Sequence, residues 1–416
     1  MKRIPIVPIH GLDIQIVFNN FQVEFKWIID KMTNQQSAQT KKTVKTFALA
    51  SFLNDLGSDI IYPIWPLFVT SVLGANMAVL GLIDGLGEAV VSISKALSGY
   101  LSDKTKKRKI FIWTGYLMGA ISRIGYALST AWPQLIPFRI LDRAGKIRSA
   151  PRDAIVADIS TPKTRGKIFG LLRSADHLGA VFGILICIFF FNILGYRLLF
   201  ALAAIPSLVA ALLIIRNITE NKPRARLKSE SEKAHKLNRN FILFLILSAV
   251  FAIGSFSYSF LMIYAKEFGF RVSFVPVLYL VYSGAASLSA LPFGKLADRI
   301  GRKAVLMIAF CLWVLVGLIV VFTHHSAAVV MIFILFGMHK GAIEPAQKAF
   351  VSDMAPVELR ASYLGTYQMV IGLCALPASV IAGLLWDNVG VNMPFIVSIG
   401  LTGIAMGLLL FIKDSN

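Results

Sequence analysis

Long apolar runs separated by short polar connections fill the chain from about residue 46 onward. A helix that crosses a bilayer needs roughly 20 mostly apolar residues. Runs of that length lie near 46–70, 77–101, 110–130, 133–158, 168–192, 197–216, 241–264, 275–297, 304–323, 327–352, 362–386 and 392–412, about twelve in all. Between the sixth and seventh, Asn217 to Asn240 is polar, mixed in charge and contains Pro223. The pattern predicts an all-α polytopic membrane protein with six-helix bundles at 46–216 and 241–416 joined by a linker at 217–240. Residues 1–45 fit less well, because Ile14 to Ile29 is broken by Asn19, Asn20, Glu24 and Lys26. Two readings stay open there: an amphipathic segment on the inner membrane surface, or a native start at Met32. The start shows no compact apolar core followed by a small-residue cleavage site, so no signal peptide is expected.

Composition agrees, since apolar residues fill 56% of 416 positions against roughly 45–50% in soluble domains. The formal net charge of +20 would suit a nucleic-acid partner if it formed one patch. It does not. Basic residues crowd into alternate connections: Lys104 to Lys109, Lys163 to Lys167, Lys222 to Arg239, Arg299 to Lys303, and Arg360, while the connections near Gly74, Thr130 and Val389 carry almost none. That alternation follows the positive-inside rule. It predicts an inner (plasma) membrane protein with both termini cytoplasmic and no nucleic-acid partner. Cys187, Cys311 and Cys374 all lie in apolar runs and are expected to be small buried hydrophobes, with no disulfide, metal site or cofactor.

The chain also repeats itself. Gly99-Tyr100-Leu101-Ser102-Asp103 recurs as Gly294-Lys295-Leu296-Ala297-Asp298, a shift of 195 positions that also carries Asp158, Arg165 and Gly170 onto Asp353, Arg360 and Gly365. Duplicated halves around a central site are a common transporter plan.

Gly294 to Lys303 resembles the loop signature of the major facilitator superfamily between helices 2 and 3 and between 8 and 9. The first copy, Gly99 to Arg108, departs from it by placing Lys106 where the second glycine belongs. The resemblance implies two pseudo-symmetric six-helix bundles, helices 3, 6, 9 and 12 at the periphery, and a conformational latch. Gly99 and Gly294 would allow close helix approach. Asp103 and Asp298 would face the N-terminal end of a neighbouring helix. Lys107, Arg108, Arg299 and Arg302 would pair with Asp158 and Asp353. Drug antiporters of this family carry further signatures in helices 4 and 5. The chain keeps Arg139 but continues Ile140-Leu141-Asp142-Arg143, and after Gly179 and Gly183 it has Ile184 in place of a proline.

Charges inside the membrane are the other signal. Helix 1 holds Asp55 and Asp59; helix 2 holds Asp84, Glu88 and Lys95; helix 4 holds Arg139, Asp142, Arg143, Lys146, Arg148, Arg152 and Asp153; helix 5 holds Arg173, Asp176 and His177; helix 10 holds His339, Lys340, Glu344 and Lys348. At about 100° per residue, Asp84, Glu88 and Lys95 fall within roughly 40° of one another, one narrow stripe. Each charge left in lipid costs roughly 2.5–3.5 kcal/mol, so a dozen would cost about 30–40 kcal/mol, several times a typical stability. They must pair or face water. Arg148, Arg152 and Asp153 near the helix end suit structural pairs, whereas Arg139, Asp142 and Arg143 suit a cavity. Asp55, Asp59, Asp84 and Glu88 are candidate proton carriers, because carboxylates withdrawn from water beside like charges hold protons more readily. Arg139, Arg143, Lys146, Arg173 and Lys340 could hold a substrate carboxylate. In the second half Tyr282 and Tyr367 are candidate cavity walls; Arg123, on peripheral helix 3, is the exception to the pattern.

These features predict a monomeric secondary transporter, not an enzyme, that moves a small polar, ionised organic solute with protons by alternating access. A multidrug/proton antiporter and a non-transporting membrane sensor are the alternatives. No HExxH, nucleophile elbow or phosphate-binding glycine loop is present, and His177, His324, His325 and His339 lack metal-ligand spacing.

Overall fold

A computed structural model of the chain describes residues 38–105, 107–160, 162–219, 239–323, 325–356 and 359–412. Everything in these segments is helix or short connection. α1 (Ala38–Ile61) passes through a proline-broken turn at Trp65–Leu67 and a wide π turn at Phe68–Val72. α2 (Met77–Thr105) and α3 (Lys109–Leu128) follow. α4 runs from Leu135–Ala144 through a tight 3-10 turn, Gly145–Arg148, into Ser149–Ile159. One run, Pro162–Asn217, holds α5 and α6, which meet at Gly195, where φ is 64° and a side chain would be strained. α7 is Arg239–Gly254 and resumes as Ser259–Glu267 after a break. α8 (Val275–Ile300), α9 (Arg302–Phe322), α10 (Ser326–Met354), α11 (Arg360–Asn388) and α12 (Met393–Leu410) complete the set.

The predicted runs correspond to these helices, with local differences. α1 is already helical at Ala38, ahead of residue 46, because Lys41, Lys42 and Lys45 prolong the helix beyond its apolar part. Thr43 and Thr46 satisfy themselves on carbonyls a turn earlier, Gln39 O at 3.0 Å and Lys42 O at 2.9 Å. Residues 1–37 and nearly all of the proposed linker lie outside the described residues. By length and composition alone, eight segments among the described residues are apolar enough to cross a membrane, one of them being α5 and α6 together. The rest are the charge-bearing helices near the N-terminus, α1, α3 and α4.

α1 packs on α5 and α6, α3 on α6 and α4, α8 on α10, and α9 on α10 and α12. Between the bundles α2 lies along α11, and the α5–α6 run touches α8, the pseudo-symmetric counterpart of that pairing. The apolar core is uneven. One cluster joins Ile60, Trp65 and Phe200 of the first bundle to Phe260, Trp313 and Phe395 of the second at the end remote from the basic loops, and continues through the second bundle to Ala297, Val305 and Ala355 beside its basic loop. At the basic end the first bundle has its own cluster around Phe47, Ile112, Leu171 and Ile214. The bundles are fused at one end and separate at the other. The outer wall is apolar: Leu202, Ile205 and Leu212 on α6, Leu315 and Leu318 on α9, and Ile396 and Ile404 on α12 are exposed, as a lipid-facing belt requires. Cys187 is buried, but Cys311 is exposed on that wall and Cys374 half-buried, because the solvent of these faces is lipid.

Candidate functional site

A cavity of about 550 Å³ opens between the bundles at the basic end. Asp55 of α1, Lys95 of α2, Lys146 of α4, Arg173 and Asp176 of α5, and Lys348 of α10 face it, together with Arg148, Arg152 and Asp153. Its charged lining is six cations (Lys95, Lys146, Arg148, Arg152, Arg173, Lys348) against three acids (Asp55, Asp153, Asp176), an excess of three positive charges. α4 supplies three of the six cations, Arg152, Arg148 and Lys146, as a ladder from the mouth inward. Near the mouth Arg152 binds Asp153 at 3.0 Å and the Ser51 hydroxyl at 2.8 Å, while Arg148 donates to Gly145 O at 2.8 Å and lies 5.0 Å from the Tyr116 ring centre.

Above the cavity the ladder ends in a buried polar knot. Arg143 donates to the Tyr62 hydroxyl at 3.2 Å, with Asp142 3.7 Å from its Nε. One turn further, Arg139 donates to Asp84 at 2.7 Å, with its guanidinium 4.6 Å from the Trp65 ring centre. Asp84 Oδ1 also accepts from the Trp65 indole at 3.0 Å, and Oδ2 accepts from the hydroxyls of Ser257 at 2.8 Å and Ser259 at 2.5 Å. Those serines sit at the α7 break, so one carboxylate ties α2 and α4 of the first bundle to the second. Tyr258 in the same break donates to Tyr62 O at 3.2 Å. Asp59 is placed differently. It is buried, receives one long hydrogen bond from Tyr279 of the second bundle at 3.4 Å, and has no cation within 4 Å among the described residues.

The far end is closed by further bonds across the halves. Lys266 donates to Ser71 at 2.8 Å. Asp387, at the end of α11, accepts from the Met77 and Ala78 N–H groups at 3.0 and 2.8 Å, capping α2.

The other candidates separate by position. Glu88 is exposed toward the centre, within electrostatic range of Lys95 and Arg143. Lys340 lies 5.6 Å from the Phe336 ring centre without an acidic partner among the described residues, and Glu344 is exposed one turn on. Tyr282 stacks on Phe336 at 4.8 Å and meets Tyr279 at 5.6 Å. Tyr367 is not a cavity wall. It is 3% exposed, stacked on Phe244 in the core of the second bundle, because its helix face turns inward. Arg123 has left the lipid-facing side of α3: it donates to Ala203 O, Ser207, Asn54 O and Ser58 at 2.6–3.2 Å and joins α1, α3 and α6.

In the repeated loops, Arg108 pairs with Asp158 at 2.5 Å, and Arg302 pairs with Asp298 and, at 3.5 Å, with Asp353. Lys107 aligns with Arg302, yet the residue after it makes the equivalent pair. The second copy turns on Gly301, with φ of 93°, whereas the first has Lys106 there. The Asp103 side chain lies outside the described residues. Asp298 is exposed and engaged by Arg302 instead of by a neighbouring helix end, and Lys107 and Arg299 are exposed. No atom lies within 4 Å of where a Gly294 Cβ would be, and Gly99 meets only Ala150 at 3.6 Å. The close approach expected at these glycines is absent, since the basic ends of the bundles stand apart. Ser257, Ser259, Trp65 and Asp387 were not expected from sequence; the alternating Ser255, Ser257 and Ser259 after Gly254 were the available sign of a polar break.

Comparison with known proteins fits this geometry. An uncharacterized MFS-type transporter of Methanocaldococcus jannaschii is 36% identical over 390 residues, 91% of this chain and 97% of that protein. The multi-drug resistance efflux pump PmrA of Streptococcus pneumoniae is 27% identical over 335 residues, 76% of this chain and 82% of the pump. Among solved structures, a bacterial homolog of the human lysosomal transporter Spinster, inward-facing and unoccupied, superimposes with a TM-score of 0.72 at 15% identity, over 91% of this chain and 97% of that one. The profile of the Major Facilitator Superfamily matches residues 47–280 and 242–416. With two bundles, a repeated loop and a full-length relative in agreement, the chain belongs to the Major Facilitator Superfamily of membrane transporters.

Proposed function

We propose that the protein is a proton-coupled secondary transporter of a small ionised organic solute, an anion, working by alternating access. The basic face is then cytoplasmic, as are both termini, and the conformation described here faces inward in a plasma membrane. The observation that carries this reading is the cavity's charge, six cations to three acids. In a low-dielectric channel such an excess attracts anions and opposes lipophilic cations, and an apolar ligand would leave the groups unpaired. Asp59 is the proposed proton carrier, since its carboxyl lacks the cation and the several donors that bind Asp84. Arg108–Asp158 and Arg302–Asp353 are proposed as parts of the latch at the mouth. The protein is proposed to act as a monomer, because the cavity is built between bundles of one chain.

The resemblance to PmrA supports a second reading, multidrug efflux. Reconstitution into proteoliposomes loaded with a pH-sensitive dye separates the two. Organic anions should drive proton movement under an imposed gradient. Proton movement driven by ethidium or tetraphenylphosphonium, and by no organic anion, would reverse the assignment.

A further inference from the structure

We propose that Lys95, Lys146 and Lys348 form a binding site for an organic anion carrying at least two negative charges, which bridges the two bundles at the mouth. This rests on the transport reading above and narrows its substrate. All three lysines line the same cavity, Lys95 and Lys146 from the first bundle and Lys348 from the second. They differ from the other cations there in that their ammonium groups have no hydrogen bond or ion pair among the described residues. Arg152 is held by Asp153 and Ser51, Arg148 by Gly145 O, and Arg173 lies 4.0 Å from Asp176. The lining acids are therefore largely engaged: Asp153 and Asp176 by those arginines, and Asp55 by the Asn54 amide at 2.8 Å. Asp55 still attracts Lys146, and Glu88 attracts Lys95 from the same helix, while Glu344 on α10 acts toward Tyr282, Tyr367 and His177.

Lys95 stands within repulsive range of Lys348 across the gap and of Lys146 beside it. Three ammonium groups sharing one cavity at reduced dielectric repel strongly, and an anion between them converts that repulsion into attraction. One negative charge can compensate only one of them. Two or more can span the pair on opposite bundles, so ligand charge both sets affinity and draws the mouth closed. Flexible lysines, each with three rotatable donors, suit carboxylates at variable spacing, and the volume of about 550 Å³ fits a small organic ligand.

The test uses purified full-length protein in detergent, titrated at constant ionic strength with acetate, succinate, citrate and inorganic phosphate, and followed by tryptophan fluorescence and melting temperature. Succinate and citrate should bind and stabilise where acetate does not; a response to phosphate alone would support a phosphorylated ligand over a carboxylate. Lys95→Gln and Lys348→Gln should each weaken binding about tenfold or more, the scale of one charge-assisted hydrogen bond, with Lys348→Arg retaining it. The proposal is overturned if acetate and succinate respond equally, if no probe acts beyond the ionic-strength control, or if the Lys95→Gln/Lys348→Gln variant binds unchanged. Flux of organic monoanions without lysine dependence would sink this site alone, whereas flux of lipophilic cations only would sink the transport reading with it.

Discussion

What a buried carboxylate can do depends on the partners around it, and Asp84 and Asp59 are opposite cases. Asp84 accepts four hydrogen bonds, one from Arg139. Asp84→Asn keeps the shape but strands a buried guanidinium whose Nε already has no hydrogen-bond partner among the described residues. The expected loss is about 3–5 kcal/mol, read as detergent unfolding, and Asp84→Asn/Arg139→Gln should cost much less than the sum of its parts. Additive costs would show that the pair is not coupled. Asp59 has only the long Tyr279 bond, so Asp59→Asn should fold normally, keep solute exchange down a gradient, and lose proton movement; retained proton flux would remove Asp59 from the mechanism. The sequence made the convergence of these charges legible, because lipid forbids the alternative. It could not rank the acids. What distinguishes Asp84 is Trp65 and two serines from the other bundle, residues whose types carry no signal until the α7 break brings them there.

Helices were legible as elements for the same reason, since apolar length in a bilayer has few other meanings. Their breaks were not. The 3-10 turn Gly145–Arg148 and the interruption after Gly254 lie inside runs that read as continuous; the first is held by its own Arg148 donating to Gly145 O, the second by Asp84 of α2. Helix pairing was equally hidden, because it is set by small residues whose pattern is common in membrane helices. Between α2 and α11, a Cβ on Gly81 would sit 2.0 Å from Ser379 O, and one on Gly383 would sit 2.3 Å from Met77 O. These are backbone atoms and cannot swing aside. Gly81→Ala should therefore push α2 off α11 and lower stability by about 1–3 kcal/mol. Gly170→Ala, where nothing lies within 4 Å, is the control and should be neutral or stabilising by up to about 1 kcal/mol. Equal melting temperatures for the two variants would mean that the α2–α11 seam is not closely packed.

At the scale of the whole molecule, one helix pair spans both the sealed end and the open one. α2 and α11 run antiparallel, so each end of the pair brings the N-terminus of one helix beside the C-terminal end of the other. At the sealed end the Asp387 carboxylate caps the first N–H groups of α2. Rocking the bundles to close the basic mouth must pull these ends apart and break the cap. Since the cap exists only while the far end is sealed, its energy biases the equilibrium toward the mouth-open state. A charged cap contributes about 0.5–2 kcal/mol, and 1.4 kcal/mol is tenfold in population. Asp387→Asn removes the charge and one of the two acceptors, part of that energy, and should shift the resting protein toward the mouth-closed state by about two- to tenfold. The shift can be read with membrane-impermeant maleimide in a background without Cys187, Cys311 and Cys374. Ala96→Cys, lining the cavity, should label more slowly from the basic face once Asp387→Asn is added, and Tyr258→Cys, in the sealed knot, should label faster from the opposite face. Labelling that slows at one site without quickening at the other would indicate local damage instead of a rocking motion. Unchanged rates at both would show that the cap follows the conformation without biasing it.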